Sequence, residues 1–386
     1  MKRVLALLTS QVIYGKERSN IEVYHLLESQ KEAKISVVCN RKANDALKRE
    51  LSSFKMIPLV IPNRYEKKWR YLTFAWTYIV GNVMLWWTLL KVRPQLLMMN
   101  SEIDFYSFYP ALRFYHGPIV YRVGDAPAFK GLSFYRYNSY VWNKYVLPRV
   151  TRFVCISQYI RREVQKVGRK SLEDRVIYNY PPARKESLAT EASLYYEKED
   201  NTLTFGFLGQ VFDQKGVHHY VESALRLLED DPNIIFYVAG SLNYRPDYAK
   251  QVCEMVPEKW KKHIIFLGEV SDIECFFSHI DVLCVPSIKQ EPLGNVIVEA
   301  KKYARPCIVY PTGGMPELIE DGVDGFVCKA PTADALYDKM KSYIGNRKLV
   351  IQQREASRLS VEKLGIDRAH FEKKWWEVID VLLRNK

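Results

Sequence analysis

PSIKQEPLGNVIVEAKKYARPCIVYPTGGMPE, residues 286–317, is the stretch whose reading decides the fold. An apolar run ending at Val285 reads as a strand, Pro292-Leu293-Gly294-Asn295 as a Gly-containing turn, and the run from about Asn295 as a helix. Strand, short loop and helix in this order make one repeat of a parallel α/β sheet. The first turn of a helix carries unpaired backbone N–H groups and a partial positive charge, so this loop is a candidate cradle for an anionic or hydroxyl-rich ligand. Glu291 lies on the loop, and Glu299 just over one turn into the helix. At that spacing both carboxylates can face one crevice and accept hydrogen bonds from sugar hydroxyls. Singly, each piece has an ordinary reading, because a Gly-Asn turn is a common turn and a helical Glu is commonly solvated.

Together the pieces form a pattern. Glu291 and Glu299 enclose Pro292-Leu293-Gly294; Pro286-Ser287 stands before them, and Gly313, Gly314, Pro316, Glu317 and IEDGVDGFV at 319–327 follow. In order and spacing this resembles the family 4 glycosyltransferases of the GT-B fold. The resemblance implies an α/β chain with two Rossmann-like, doubly wound parallel-sheet domains facing across a cleft, and a C-terminal helix crossing back to the first domain. It implies transfer of a sugar, with retention, from a nucleotide diphosphate-sugar to an acceptor hydroxyl. Glu291 would hold donor sugar hydroxyls, Glu299 the ribose, and Leu293, Gly294 and Asn295 the sugar and phosphate through backbone N–H. The nucleotide sugar is then a co-substrate, with no cofactor and no metal expected, and no Asp-x-Asp motif occurs.

The 386 residues are enough for two ordinary domains with a core each. An apolar content of 48% excludes general disorder. Seven Cys scattered through apolar segments, with no C-x-x-C pair, point to buried thiols in a reducing compartment rather than to a zinc site or disulfide framework. Lys2-Arg3 ahead of Val4–Leu8 is too short an apolar run for a signal peptide and reads as a first strand. Charge is uneven. Residues 1–180 carry 30 Lys and Arg against 13 Asp and Glu, a net of +17, and the remainder is −4. The basic half suits anionic lipid headgroups; nucleic acid is not expected, because no nucleic-acid module accompanies it.

Residues 1–180 read as the acceptor-binding domain. A strand at Val4–Leu8 leads through the Gly15-Lys16-Glu17-Arg18 loop into a helix. Gly15 at this first β-α turn can let backbone approach a ligand, and it resembles the family's glycine-rich G-x-E-R loop, with Tyr14 where a second Gly is common. Further strands are expected at 35–39, 56–61, 95–100, 118–123, 150–157 and 176–179. Residues 71–90, YLTFAWTYIVGNVMLWWTLL, hold no charge and three Trp. Twenty such residues can span a bilayer, but Thr73, Thr77, Asn82 and Thr88 dilute the run, and a non-spanning helix of interfacial character is the expectation. The strand ending at Val123 runs into Gly124-Asp125-Ala126-Pro127, where the family often carries a His. Asp125 is a candidate catalytic carboxylate that orients the acceptor hydroxyl or receives its proton, while the same four residues can equally be a plain Asx-capped turn. The aromatic and basic tract 129–145 suits an acceptor tunnel, a membrane contact or simple helix packing.

Residues 181–201 read as linker, 202–365 as the nucleotide-sugar domain and 366–386 as the returning helix. A strand at 203–208 leads to Gly209-Gln210-Val211-Phe212-Asp213-Gln214-Lys215-Gly216. Strand, Gly turn and Lys before a helix make a diphosphate site in which N–H groups and an ammonium offset charge. The family usually has Arg where Gln210 stands, so one cation is missing there, and Lys16 or Arg18 of the first domain is a candidate substitute. Strands at 234–240, 263–268 and 280–286 complete the alternation, and backbone near Val270 is the expected contact for the base. The expected acceptor is a glycan or lipid-linked saccharide at the cytoplasmic face of the cell membrane, with the protein peripheral. Rival readings are an epimerase-type enzyme on this fold, for which the seven His offer no evident acid/base set, and a weakly catalytic membrane scaffold.

Overall fold

The computed structural model describes residues 2–29, 33–61, 72, 75–127, 135–180 and 202–384. The expected linker at 181–201 and part of the aromatic tract lie outside these. The chain divides into two units, Met1–Pro182 with Arg368–Lys386, and Ala183–Asp367.

The first unit is a parallel sheet. Its described strands are β1 (Lys2–Leu8), β2 (Ala33–Asn40), β3 (Lys55–Leu59), β4 (Leu96–Met99), β5 (Ile119–Val123), β6 (Arg152–Cys155) and β7 (Arg175–Val176), in the order β3-β2-β1-β4-β5-β6-β7. Val4 pairs with Ile35 on one side and Leu96 on the other, which puts the reversal of strand order between β1 and β4. Val4 to Leu8 is buried throughout, as a strand covered on both faces requires. The crossovers are α1 (Gly15–Ser29), α2 (Asp45–Glu50), α3 (Asn82–Val92) led in by a π turn at Thr77–Gly81, α4 (Glu102–Leu112), α5 (Tyr135–Val141) and α6 (Gln158–Lys166). The strand expected over Val176–Asn179 stops at Val176. One more ladder bond follows, from the Ile177 N–H to the Cys155 carbonyl at 3.0 Å, and beyond it the Asn179 carboxamide oxygen accepts from the buried Arg122 guanidinium at 2.5 Å.

The second unit repeats the plan. β8 (Leu203–Leu208), α7 (Val217–Asp230), β9 (Ile234–Ala239), α8 (Pro246–Glu254), β10 (Ile264–Gly268), α9 (Ile273–His279), β11 (Val282–Val285), α10 (Asn295–Lys302), β12 (Cys307–Val309), β13 (Gly325–Val327), α11 (Ala333–Lys341) and α12 (Arg347–Leu364) follow in turn. Strand order is β10-β9-β8-β11-β12-β13, again parallel, with the reversal between β8 and β11. The IEDGVDGFV motif proves structural. Asp324 accepts from the Glu320 N–H at 3.0 Å and pairs with the fully buried Lys301 at 2.7 Å, so it closes the turn ahead of β13 and ties it to α10.

The last helix, α13 (Arg368–Arg384), belongs to the first unit. Its Phe371, Trp375, Ile379 and Leu383 pack into the core formed by β1, α1 and β2, and the Lys2 ammonium donates to the Leu383 carbonyl. This is the returning helix that the resemblance implied. Among the described residues no helix is long and apolar enough to cross a membrane.

Candidate functional site

Doubly wound sheets receive ligands in the crevice beyond the carboxyl ends of the strands, where strand order reverses. In the second unit that place lies between the loops after β8 and β11, and the sequence brings six of the candidate residues there: Gly209, Gln210, Lys215, Glu291, Leu293 and Gly294. After β8 the chain makes a 3-10 turn at Asp213–Lys215 and enters α7 through Gly216, whose φ is 69°. A Cβ at Gly216 would fall 2.0 Å from the Pro286 carbonyl oxygen, so only glycine lets the two loops meet. The N–H groups of Ile288 and Lys289 then both donate to the Gln214 carbonyl, at 2.9 and 3.3 Å.

This stitching places the Lys215 ammonium 2.5 Å from the Glu291 carboxylate, with both groups partly buried. The Gly313-Gly314 pair fixes the loop from beneath. Gly314 N–H donates to the Glu291 carbonyl at 2.8 Å, and Gly313 N–H donates to the Gln290 side chain at 2.5 Å. With φ at 62°, a Cβ on Gly313 would sit 1.9 Å from that same Glu291 carbonyl. Thr312 adds a hydroxyl bond to the Ser287 carbonyl at 2.7 Å. Gly294 enters α10 in the left-handed region at φ 91°, and Leu293 beside it is buried and anchors the turn. Asn295 opens the helix and Glu299 stands on it, both engaged within the protein. Gly209 donates to the Ala239 carbonyl at 2.9 Å. Gln210 makes no side-chain hydrogen bond among the described residues, and Val270 follows β10 in a buried position.

In the first unit the corresponding crevice lies beyond β1, β4 and β5. Gly15 begins α1 there, and Lys16 reaches across to Asp125 after β5 at 2.6 Å. Gly124 makes room for that reach, because a Cβ on it would stand 3.3 Å from Lys16 Cε. Burial by itself would lower the Lys16 pKa, but Asp125, Glu102 and Glu17 around it more than offset this and hold it above the ordinary lysine value. The sequence offers Lys16 as a substitute cation for the diphosphate; its partner in the structure is Asp125.

Three residues of these crevices escaped the sequence reading. Glu17 accepts from the Tyr14 N–H at 3.0 Å and from the Ser10 hydroxyl at 2.7 Å, fixing the start of α1 as the third residue of a capping box does. Glu102 takes the Tyr121 hydroxyl at 3.2 Å, and Gln290 holds Gly313. Only Glu17 had a legible signal, the E of the G-x-E-R loop.

Residues 195–360 match the family model described as glycosyl transferases group 1. Over 209 residues the chain is 28% identical to an uncharacterized glycosyltransferase of Methanocaldococcus jannaschii, covering 53% of each protein. It is 22% identical over 155 residues, 40% of each, to the capsular polysaccharide biosynthesis glycosyltransferase CapM of Staphylococcus aureus. The chain thus spans about half the length or less of these curated relatives. Its fold resembles Anabaena HepE, solved in complex with UDP and glucose, with a TM-score of 0.73, 19% identity and coverage of 99% of this chain and 100% of that one. Residues 195–360 thus match the group 1 glycosyl transferase model, and the two parallel sheets share the GT-B fold of that solved structure.

Proposed function

We propose that the protein transfers a sugar from a nucleotide diphosphate-sugar to an acceptor hydroxyl, with retention at the anomeric carbon. The observation that carries this reading is the Lys215–Glu291 pair at the mouth of the second unit's crevice. As the glycosidic bond breaks, negative charge grows on the departing diphosphate and positive charge on the sugar ring. Lys215 and the N–H groups at the starts of α7 and α10 answer the first. Glu291 and Glu299 answer the second, accepting hydrogen bonds that hold the donor sugar and the ribose in place. In this reading the diphosphate charge is met by Lys215 and backbone N–H without a metal ion, and Gln210 contributes a hydrogen bond but no charge. Val270 backbone meets the base.

Asp125, steadied by Lys16, receives the hydrogen bond of the acceptor hydroxyl and its proton as the new bond forms. The acceptor proposed is a lipid-linked or surface-polysaccharide saccharide, with the protein peripheral on the cytoplasmic face of the cell membrane. The +17 net charge of residues 1–180 and the capsular relative support this part. The direct test is a panel of nucleotide sugars, headed by UDP-glucose because of the Anabaena complex, assayed for hydrolysis and for transfer to saccharide acceptors. Turnover with one donor that is lost in Lys215→Ala supports the proposal; no binding and no turnover with any donor overturns it.

A further inference from the structure

The helix α3 and the π turn before it are amphipathic the wrong way round. Their buried side carries Gly81, Asn82, Leu85, Thr88 and Leu89, including two polar side chains. Their exposed side carries Trp76, Ile79, Val83, Trp86, Trp87 and Leu90 at helical spacing, with Ile79 64% and Trp87 54% exposed. Soluble helices place these faces the other way, and an apolar stripe of this length in water marks a surface that meets something.

The helix cannot roll to hide the stripe. Pro110 within α4 lacks an N–H, and Phe108 departs from helical geometry, so the Ser107 carbonyl and the Ala111 N–H are separated. The Asn82 carboxamide bridges that break, donating to the Ser107 carbonyl at 2.8 Å and accepting from the Ala111 N–H at 2.9 Å. This buried pair of bonds locks the rotation of α3, and with it the outward direction of the tryptophans.

In sequence, two segments that contribute to this face carry charge of one sign. Residues 67–101 and 126–162 contain no Asp or Glu, while carrying five and seven Lys or Arg. Lys91 and Arg93 are exposed at the end of α3. The neighbouring helix α5, joined to the π turn by the Tyr78–Tyr137 ring contact, exposes Tyr135, Arg136 and Tyr140, and Lys144 follows it. Arg113 and Phe114, the latter 69% exposed, end α4.

We propose that this face docks on an anionic lipid surface, with Trp76, Trp86 and Trp87 entering the interfacial layer and the flanking Lys and Arg meeting headgroup phosphates. Tryptophan suits that layer because its ring is largely apolar while its N–H can stay wet. A second copy of this chain is the less fitting occupant, because a two-fold contact would set the same cationic rim against itself. The helix lies on the membrane rather than crossing it.

The proposal deepens the membrane part of the reading above by naming the docking face, and its test uses no nucleotide sugar, so failure here leaves donor turnover standing. Full-length protein is floated with vesicles of phosphatidylcholine containing phosphatidylglycerol, and with phosphatidylcholine alone. Wild type is expected to float with the anionic vesicles, with tryptophan emission quenched by lipids brominated on the acyl chain. W76S/W86S/W87S, which changes only outward-facing positions, is expected to partition at least about tenfold less while keeping the wild-type melting profile. A variant with Lys91, Arg113 and Arg136 changed to Gln should lose binding to anionic vesicles and become indifferent to salt. Wild type that fails to float, or a triple Trp variant that floats equally well, overturns the proposal. So does a concentration-dependent dimer in light scattering that only the Trp variant abolishes, without vesicle binding.

Discussion

The Lys215 ammonium is held 2.5 Å from the Glu291 carboxylate, joining two loops that are 76 residues apart in sequence. Each group keeps the other in place before any donor arrives. In the proposed reaction they then act on different parts of one substrate, the cation on the diphosphate and the carboxylate on the sugar. Glu291→Gln keeps the shape but removes the charge that steadies Lys215 and accepts from the sugar. Its kcat/KM for the nucleotide sugar is expected to fall on the order of a hundredfold, with the melting temperature close to wild type; steady-state kinetics on the best donor of the panel checks this.

Gly313→Ala should act through geometry alone. The added methyl would overlap the Glu291 carbonyl, and the backbone is in the left-handed region. The expected result is a loss of about 1–3 kcal/mol of stability together with most of the donor turnover, read by denaturant unfolding and by the same kinetics. The neighbouring Pro311→Ala, at an exposed position before the turn, should show neither effect.

Asp125→Asn separates acceptor chemistry from donor binding. With the carboxylate gone, the acceptor hydroxyl loses its proton acceptor, so transfer should drop roughly a hundredfold while donor affinity stays unchanged. A titration of donor against the variant, beside a transfer assay, reads the two separately. Because Asp125 raises the Lys16 pKa against the opposing effect of burial, Asn at this position should also leave Lys16 titrating lower than in the wild type.

A pH dependence follows from the histidine pair at the start of α7. His218 Nδ1 lies 2.7 Å from the Tyr248 hydroxyl, and His219 Nδ1 lies 3.0 Å from the Tyr310 hydroxyl. Burial lowers both pKa values, and for His219 the neighbouring His218 adds to the effect. The folded state therefore binds fewer protons than the unfolded chain. The stability from the neutral pair is fully present above the ordinary histidine value of about 6.5 and is lost as the pH falls through it toward the lowered folded values. Melting curves should shift downward between pH 7 and pH 5, and less so in His219→Gln. An equal shift in that variant would assign the acid sensitivity to carboxylates.

The sequence was most legible where physics is local. Apolar runs such as LTFGFL and IIFYVA, bounded by glycine turns, announce buried parallel strands, and β8 and β9 fall there. The start of α10 at Asn295 follows from the Gly294 turn in the same way. Strands β12 and β13 are three residues each and too short to stand out as runs; β12 forms on the ladder that β11 offers, and β13 in turn on β12. α4 has a proline in its interior, which a local reading takes as a break, and Asn82 and Tyr137, both on other helices, repair it. The same limit governs the site. Gly313 and Gly314 were readable as part of a ligand motif, yet their bonds go to the Gln290 side chain and the Glu291 carbonyl. The Lys16–Asp125 pair spans 109 residues, a distance over which no periodicity or spacing speaks.

Calorimetric titration of nucleoside diphosphates and their sugars, UDP first, into wild type and Lys215→Ala tests the central claim most directly. The account predicts that one nucleotide sugar binds the wild type and that Lys215→Ala binds it at least about tenfold more weakly, since the diphosphate loses its cation. Unchanged affinity in Lys215→Ala, or a wild type that binds none of these nucleotides, would contradict it.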